Sequence, residues 1–152
     1  MARTIADIIT DYKVVGIDTS PFIYHFQSAA VYSKITTDLF DAVEKGLIRA
    51  VTSVITLMEV LVKPMSDGNV KAAEEYRILL LTFPNLSLRT IDDKVASRAA
   101  GLKASYRIGA PDALQLSAAI EEGAKAFVTN DEKLSKVKDL PVFVLKSFLA
   151  RK

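Results

Sequence analysis

Three acidic residues of this 152-residue chain stand in segments that are otherwise apolar. Asp18 ends the run KVVGID. Glu59 is the only charged residue within residues 50–62, and Asp112 is the only one within residues 108–120. Burying a carboxylate in such surroundings is costly unless a cation or several hydrogen-bond donors meet it. These side chains are therefore candidates for a chemical role.

A fourth acid, Asp131, follows the short apolar run AFVT by two residues. Carboxylates that share one cleft repel one another and raise their own pKa values. A divalent cation bound among them removes this repulsion, and ligands that are all oxygen favour magnesium or manganese over zinc. The sequence thus predicts a Mg²⁺ or Mn²⁺ site, whose four ligands are Asp18, Glu59, Asp112 and Asp131.

Each acid also has a purely structural interpretation. Asp18 is typical of a turn after a strand, and Asp131 of a helix cap. Glu59 follows Thr56 at the spacing of a capping box. Asp112 complements the helix dipole in a first helical turn. Four independent caps would not explain the apolar segments around these residues or their common placement at one edge of a sheet, so we favour the shared metal site.

The elements that must position these acids alternate along the chain. Short apolar runs predict buried strands, and between them lie helical patterns. Strands of this kind separated by helices are typical of a parallel sheet covered on both faces. Ligands bind such sheets at the carboxyl ends of the strands. The predicted strands are Lys13–Asp18, Ile48–Val54, Leu86–Thr90, Ala126–Thr129 and Pro141–Leu145.

Helical spacing of apolar residues and capping residues predict seven helices. Thr4 caps a short N-terminal helix whose Ile5, Ile8, Ile9 and Tyr12 face inward. In the second helix, Ser20 is the cap and Pro21 the first residue. The other predicted helices span residues 33–45, 56–63 (closed by Pro64), 70–82, 92–105 and 111–122.

Composition narrows the class of protein. The length suits a single domain, residues 1–152, and no apolar run is long enough to span a bilayer. The absence of cysteine excludes disulfides, thiolate zinc sites and cysteine nucleophiles. The N-terminus is not typical of a signal peptide, so we expect a cytoplasmic protein. The net charge of +2 is too small to indicate nucleic-acid binding by itself.

At these acids the chain resembles the PIN domain, the ribonuclease family that includes the VapC toxins of toxin–antitoxin pairs. The similar segments are VGIDTSPFIY, TSVITLMEVL and GAPDALQLSAAIEEGAKAFVTND. The last is the most specific, because it joins an Asp-Ala-Leu helix to a short strand and Thr-Asn-Asp. The resemblance covers residues 14–145, which leaves residues 1–12 as an N-terminal helical extension.

The resemblance implies a three-layer α/β/α sandwich, with strand order 3-2-1-4-5, and metal-dependent cleavage of RNA. Asp18, Glu59, Asp112 and Asp131 match the family's acidic quartet. Thr129 matches a hydroxyl residue often found beside the last acid, and Thr19 or Ser20 is a candidate for orienting the first. The family also implies an antitoxin partner that occludes the cleft with a basic side chain, and homodimers are common in it.

Other functions stay open at this point. A PIN domain without an antitoxin would process RNA, and a non-catalytic adaptor would keep the fold for protein assembly. An intact acidic quartet argues against the adaptor. A phosphotransfer domain with Asp18 as nucleophile usually pairs that Asp with a nearby Lys and often carries a second Asp two residues on, where this chain has Ser20. Dinucleotide binding is excluded, because no G-x-G-x-x-G follows a predicted strand.

Residues outside the quartet are weaker candidates for a role in the same chemistry. His25 is the only histidine, and we interpret it as a partly buried structural side chain. Lys103, Arg107 and Lys133 lie near the third and fourth motifs and are candidates for phosphate contacts, although solvated surface charge is the simpler interpretation. Aromatic residues of the segment SPFIYHF, such as Tyr24, are interpreted as core or interface rather than as base-stacking surfaces.

Overall fold

The computed structural model describes residues 3–149. At its centre lies a five-stranded sheet in the order β3-β2-β1-β4-β5, with every neighbouring pair parallel. Val15 of the central strand lies beside Ala50 on one side and Ala126 on the other. The predicted fold class and strand order are confirmed. The strands are β1 (Val14–Ile17), β2 (Arg49–Ser53), β3 (Leu86–Arg89), β4 (Ala126–Thr129) and β5 (Val142–Val144).

Seven α-helices are found within residues 3–149, none of them long and apolar enough to cross a membrane. They are α1 (Ile5–Ile9), α2 (Thr19–Phe26), α3 (Ser33–Glu44), α4 (Val54–Ser66), α5 (Val70–Thr82), α6 (Asp93–Tyr106) and α7 (Ala110–Glu121). Short 3₁₀ helices cover Thr10–Tyr12, Glu132–Lys136 and Leu145–Phe148.

The helices cover both faces of the sheet and bury two apolar clusters. One cluster includes Phe22 of α2 and Phe40 of α3. The other includes Leu102 of α6, Leu116 of α7 and Phe127 of β4. Because both faces of the central strands are buried, these strands are apolar along their whole length. The result is the expected three-layer sandwich.

The middle of β1 is a glycine because α7 packs against it there. A Cβ atom at Gly16 would lie 2.5 Å from the Cβ of Ala119 and 2.8 Å from a ring carbon of Phe127. Only glycine leaves room for this approach. Close packing of α7 on β1 brings the first half of α7, which carries Asp112, to the end of β1.

Helix α2 begins two residues earlier than the sequence suggested. Asp18, not Ser20, is the N-cap, and its carboxylate accepts a hydrogen bond from the amide of Thr19. Pro21 is therefore the third residue of the helix, where its missing N–H still costs no intrahelical bond. The residue that directly follows β1 is thus also the cap of α2.

Helix α4 also differs from its predicted bounds. It starts at Val54, directly after β2, and passes through Pro64 to Ser66. Proline was expected to close it. Pro64 removes one hydrogen bond in the last turns and is buried, and Asp67 continues the bonding pattern by donating to the carbonyl of Lys63. Packing therefore keeps the helix intact past a residue that usually ends one.

The N-terminal helix α1 is confirmed together with its cap. Thr4 and Asp7 form a reciprocal capping box, and Ile5 and Ile9 are buried in the same cluster as α3. Tyr12 packs its ring against Phe143, at 5.6 Å between centroids. The segment before β1 is therefore part of the packed structure.

Candidate functional site

All four predicted acids line one cavity of about 680 Å³. Asp18 follows β1, and Asp131 lies two residues after β4. Asp112 is in the first turn of α7, and Glu59 is in the second turn of α4. The cavity lies where the carboxyl ends of the central parallel strands meet these helices, as expected for an α/β sheet.

Asp18 is the most buried of the four acids and the most firmly held. Its side chain accepts hydrogen bonds from the Thr19 amide at 2.8 Å and from the Thr129 hydroxyl at 2.7 Å. Burial raises the pKa of Asp18, while these two donors and the Gln115 amide act in the opposite direction. A carboxylate with this many donors is oriented before any ligand arrives.

Asp112 is half-buried and surrounded by like charge. Its pKa is raised to about 6, first by burial and then by the charges of Asp18, Asp131 and Glu59. Lys133 is the one contributor that lowers it. Mutual repulsion of this kind was the expectation for carboxylates gathered in a single cleft.

Glu59 does not form the capping box that its spacing to Thr56 allowed. The cap of α4 is Ser53, whose hydroxyl accepts from the amide of Ile55. Glu59 lies beyond the first turn and accepts a 2.9 Å hydrogen bond from the hydroxyl of Thr19. The structural interpretation of Glu59 is therefore wrong, because the helix starts two residues before Thr56. Glu59 is instead linked to the residue next to Asp18.

Asp131, in contrast, has a structural role. Its carboxylate caps the 3₁₀ helix Glu132–Lys136 by accepting from the amide of Lys133 at 3.0 Å. The amide of Asp131 donates to the Thr129 hydroxyl, which in turn donates to Asp18. One hydroxyl thus joins the last acid to the first. Thr19 and Thr129 both contact the quartet, as expected, and Ser20 lines the cavity.

The donor set suits a hard divalent cation, although the carboxylates do not form a closed cage. Within residues 3–149, no three His, Asp or Glu side chains are grouped closely enough to hold an ion as they stand. The four predicted acids and Glu132 nevertheless line one cavity, with Lys133 and Lys146 as its only lysines among the described residues, so acidic residues are in excess there. A cation of charge two, bound by oxygen ligands, would offset that excess.

Candidates outside the quartet have mixed outcomes. Lys133 lines the cavity, whereas Lys103 and Arg107, at the end of α6, are not among its lining residues. Lys103 there donates to the carbonyl of Ile108. His25 packs on the ring of Phe40, at 4.7 Å between centroids, and burial lowers its pKa. The structural interpretation of His25 agrees with this position.

Several residues of the site were missed in the sequence. Tyr24 and Tyr32 stack on each other at 4.5 Å and line the cavity, so Tyr24 is not simply a core residue. Lys146 lines the same cavity. Gln115 is buried and contacts Asp18. Its polarity in an apolar helix, three residues after Asp112, was the available signal.

Comparison with known proteins agrees with this fold. The sequence model of the PIN domain matches residues 15–140. No curated protein sequence matches the chain.

Solved structures with a similar fold come from toxin–antitoxin complexes. VapBC2 from Rickettsia felis, bound to a promoter DNA fragment, is 18% identical with a TM-score of 0.67 and covers 85% of this chain and 96% of its own. A toxin–antitoxin complex from Klebsiella pneumoniae is 19% identical with a TM-score of 0.66, covering 86% and 97%. The Mycobacterium tuberculosis toxin VapC20, which cleaves the sarcin–ricin loop, is 12% identical with a TM-score of 0.60, covering 74% and 86%. The family match spans most of the sequence, and we conclude that this chain belongs to the PIN domain family.

Proposed function

We propose that this protein is a Mg²⁺- or Mn²⁺-dependent endoribonuclease and the VapC-like toxin of a toxin–antitoxin pair. The observation that carries the proposal is the meeting of Asp18, Glu59, Asp112 and Asp131 in one cavity at the carboxyl edge of the sheet. Family membership supports the nuclease activity. The similar folds of known toxins support the toxin role. In this proposal the whole chain, residues 1–152, is one domain.

In this proposal, three acids of the quartet bind the metal and the fourth positions a water molecule. Asp18 and Asp112 are the proposed direct ligands, since Asp18 is already oriented by Thr19 and Thr129. Asp131 completes the ligand set. The bound cation would supply a polarised water and would stabilise the charge that develops on the leaving oxygen.

The residues then carry out phosphodiester hydrolysis. Glu59, held by the Thr19 hydroxyl, positions a water and takes up its proton. The water oxygen forms a bond to phosphorus while the bond from phosphorus to the 3′ oxygen breaks. The proton returns to that oxygen, and the products carry a 5′-phosphate and a 3′-hydroxyl.

The rim of the cavity suits a single-stranded polyanion. Lys133 and Lys146 line it, and both are exposed, so they can contact phosphates. The stacked rings of Tyr24 and Tyr32 provide flat apolar surface beside the acids. Bases of unpaired RNA stack on such rings. These features support RNA as the substrate class.

The proposed partners are an antitoxin and a second copy of this chain. The antitoxin is supported by the similar folds found in toxin–antitoxin complexes from two organisms. A basic side chain of the antitoxin would offset the excess negative charge around Asp112. Such a protein would act in the cytoplasm, where its RNA targets are made.

A matched pair of variants tests the nuclease. Asp18 and Asp92 both cap a helix with their carboxylates, and asparagine caps a helix equally well. We expect purified wild type and Asp92→Asn to cleave unstructured RNA with Mn²⁺ and to stop in excess EDTA. Asp18→Asn should fold and lose cleavage. No cleavage by wild type, or equal cleavage by Asp18→Asn, would refute the proposal.

A further inference from the structure

The most connected buried polar side chain outside the quartet is Gln115 of α7. It is 3% exposed and lies where α7 meets the ends of β1 and β2. Its amide nitrogen is 2.7 Å from the hydroxyl of Thr56, 3.0 Å from that of Thr19 and 3.3 Å from Oδ1 of Asp18. Its amide oxygen accepts from the hydroxyl of Ser53. One side chain therefore bridges three elements around the site.

The orientation of this amide follows from its neighbours. The nitrogen end faces Oδ1 of Asp18, which can only accept when ionised. The Ser53 hydroxyl already accepts from the amide of Ile55, so its own proton is free for the oxygen of Gln115. A reversed amide would place oxygen against a carboxylate oxygen. The side chain is therefore held with its donors toward the acids.

Because each threonine hydroxyl has one proton, the direction of every hydrogen bond between the neighbouring hydroxyls can be assigned. Thr19 has one proton, which it donates to Glu59 at 2.9 Å. The 3.0 Å contact between Thr19 and Thr56 must then be a donation from Thr56. By the same count Thr52 donates to Thr56, at 2.7 Å. The chain of donors runs from β2 through α4 to the Glu59 carboxylate.

Gln115 completes this chain. Thr56 accepts from Thr52 and Gln115, and Thr19 accepts from Thr56 and Gln115, so each hydroxyl uses its proton and both lone pairs. Every buried side-chain nitrogen and oxygen within residues 3–149 has a partner. A network without spare capacity holds its members in one arrangement. Loss of the Gln115 donors frees the Thr19 hydroxyl to turn away from Glu59.

We propose that Gln115 is a positioning residue, which fixes Glu59 in its water-holding orientation through the hydroxyls of Thr19 and Thr56 and also contacts Asp18 with its amide nitrogen. The inference rests on the proposed metal-dependent function of the same site. Gln115 needs no contact with substrate for this role. Its effect reaches Glu59 through Thr19. The amide nitrogen has two protons for three acceptors, so the 3.3 Å contact with Asp18 shares a proton with one of the shorter bonds and is the weaker effect.

The test uses the full-length protein and a control on the same helix. Gln115→Met keeps a similar length and removes both polar groups. Ser117→Ala removes an equally buried hydrogen bond of α7, from Ser117 to the carbonyl of Val95, on the α6 side. Mn²⁺ affinity is measured by calorimetry, and metal-free crystal structures are determined. Unfolded protein lowers the number of sites in calorimetry but leaves their affinity unchanged.

We expect Gln115→Met to bind Mn²⁺ about 10- to 100-fold more weakly, the usual loss for a residue that orients a metal ligand. Ser117→Ala should bind as wild type does. In metal-free crystals of Gln115→Met, the Thr19 hydroxyl should have left Glu59. An unchanged contact from Thr19 to Glu59 overturns the inference whatever the affinity, and so does an unchanged affinity.

Two other results are possible: Gln115→Met does not fold, or the wild type binds no Mn²⁺. If Gln115→Met does not fold, Thr56→Val takes its place, because it keeps the shape of the side chain and removes the hydroxyl that accepts from Gln115 and donates to Thr19. The same two readouts then support or overturn the inference. If wild type binds no Mn²⁺, the proposed function fails, and the metal-free crystals alone decide whether Gln115 positions Thr19.

Discussion

The starts of α6 and α7 carry acidic side chains in opposite electrostatic settings. At α6, Asp92 accepts from the amide of Val95 and pairs with Arg89 at 2.8 Å, and both interactions lower its pKa. At α7, Asp112 has carboxylates for neighbours, and its pKa is raised. The two helices pack against each other, and each has an aspartate in its first turn. The carboxylate at the start of α6 stabilises the fold, whereas Asp112 is repelled by its neighbours, which is consistent with the proposed cation site.

The largest expected difference between the two starts is in catalysis. Asp112→Asn should lower the rate of RNA cleavage at least about 100-fold, because even residues that only orient a metal ligand cost 10- to 100-fold. Asp93→Asn, in the first turn of α6, should cleave as wild type does. The rates are measured on one labelled RNA under single-turnover conditions. Equal rates for the two variants would contradict a specific role of Asp112 in catalysis.

The second difference is in stabilisation by metal. Mn²⁺ at 100 times its dissociation constant should stabilise wild type by about 2.7 kcal/mol, because it binds the folded state only. The same concentration should stabilise Asp93→Asn equally and Asp112→Asn much less. Thermal unfolding with and without Mn²⁺ measures this. A full metal-dependent gain in Asp112→Asn would show that the ion binds elsewhere.

The third difference concerns the thermal stability of the metal-free protein. Here the substitution at α6, and not the one at α7, is expected to be harmful. Asp92→Ala loses a helix cap and the ion pair with Arg89, so its Tm should fall by a few degrees, on the order of 3 °C. Asp112→Ala removes a carboxylate from repulsive surroundings, and its Tm should hold or rise. Calorimetry in EDTA measures both. A larger loss in Asp112→Ala would mean that Asp112 supports the fold.

The smallest effect is the titration of the two carboxyls in metal-free protein. Carboxyl NMR should give Asp112 a pKa of about 6 and Asp92 a pKa below its usual value. Because the folded-state pKa of Asp112 is raised, its charge costs stability as the pH rises from about 4 to 6. The lowered pKa of Asp92 contributes stability at neutral pH, which is lost as the pH falls through it. Two ordinary values would contradict this contrast.

The sheet and the meeting of the four acids were predictable because they follow from local patterns. Buried parallel strands are apolar throughout, so β1 and β4 are visible in the sequence, and acids at their ends must share an edge. The roles of individual caps were less predictable. Glu59 and Thr56 fit a capping box, but α4 starts directly after β2 and Ser53 takes the cap.

Residues whose role depends on packing between elements could not be read from the sequence. Gln115 is polar in an apolar helix, yet its partners come from the start of α2, from β2 and from α4, at separations of about 60 to 100 residues. Tyr24 lies on α2 and Tyr32 is the N-cap residue of α3, and the contact between their rings at the cavity joins these two elements. Periodicity reports which side of a helix is buried and not what that side meets.

The most direct measurement is a crystal structure of the protein grown or soaked with MnCl₂, with anomalous diffraction to locate the ion. The account predicts a manganese peak in the cavity, bound by carboxylate oxygens of Asp18 and Asp112 and close to Asp131. It also predicts that the peak disappears in Asp112→Asn. A cavity without manganese at saturating concentration, or a peak that persists unchanged in Asp112→Asn, would contradict the central claim.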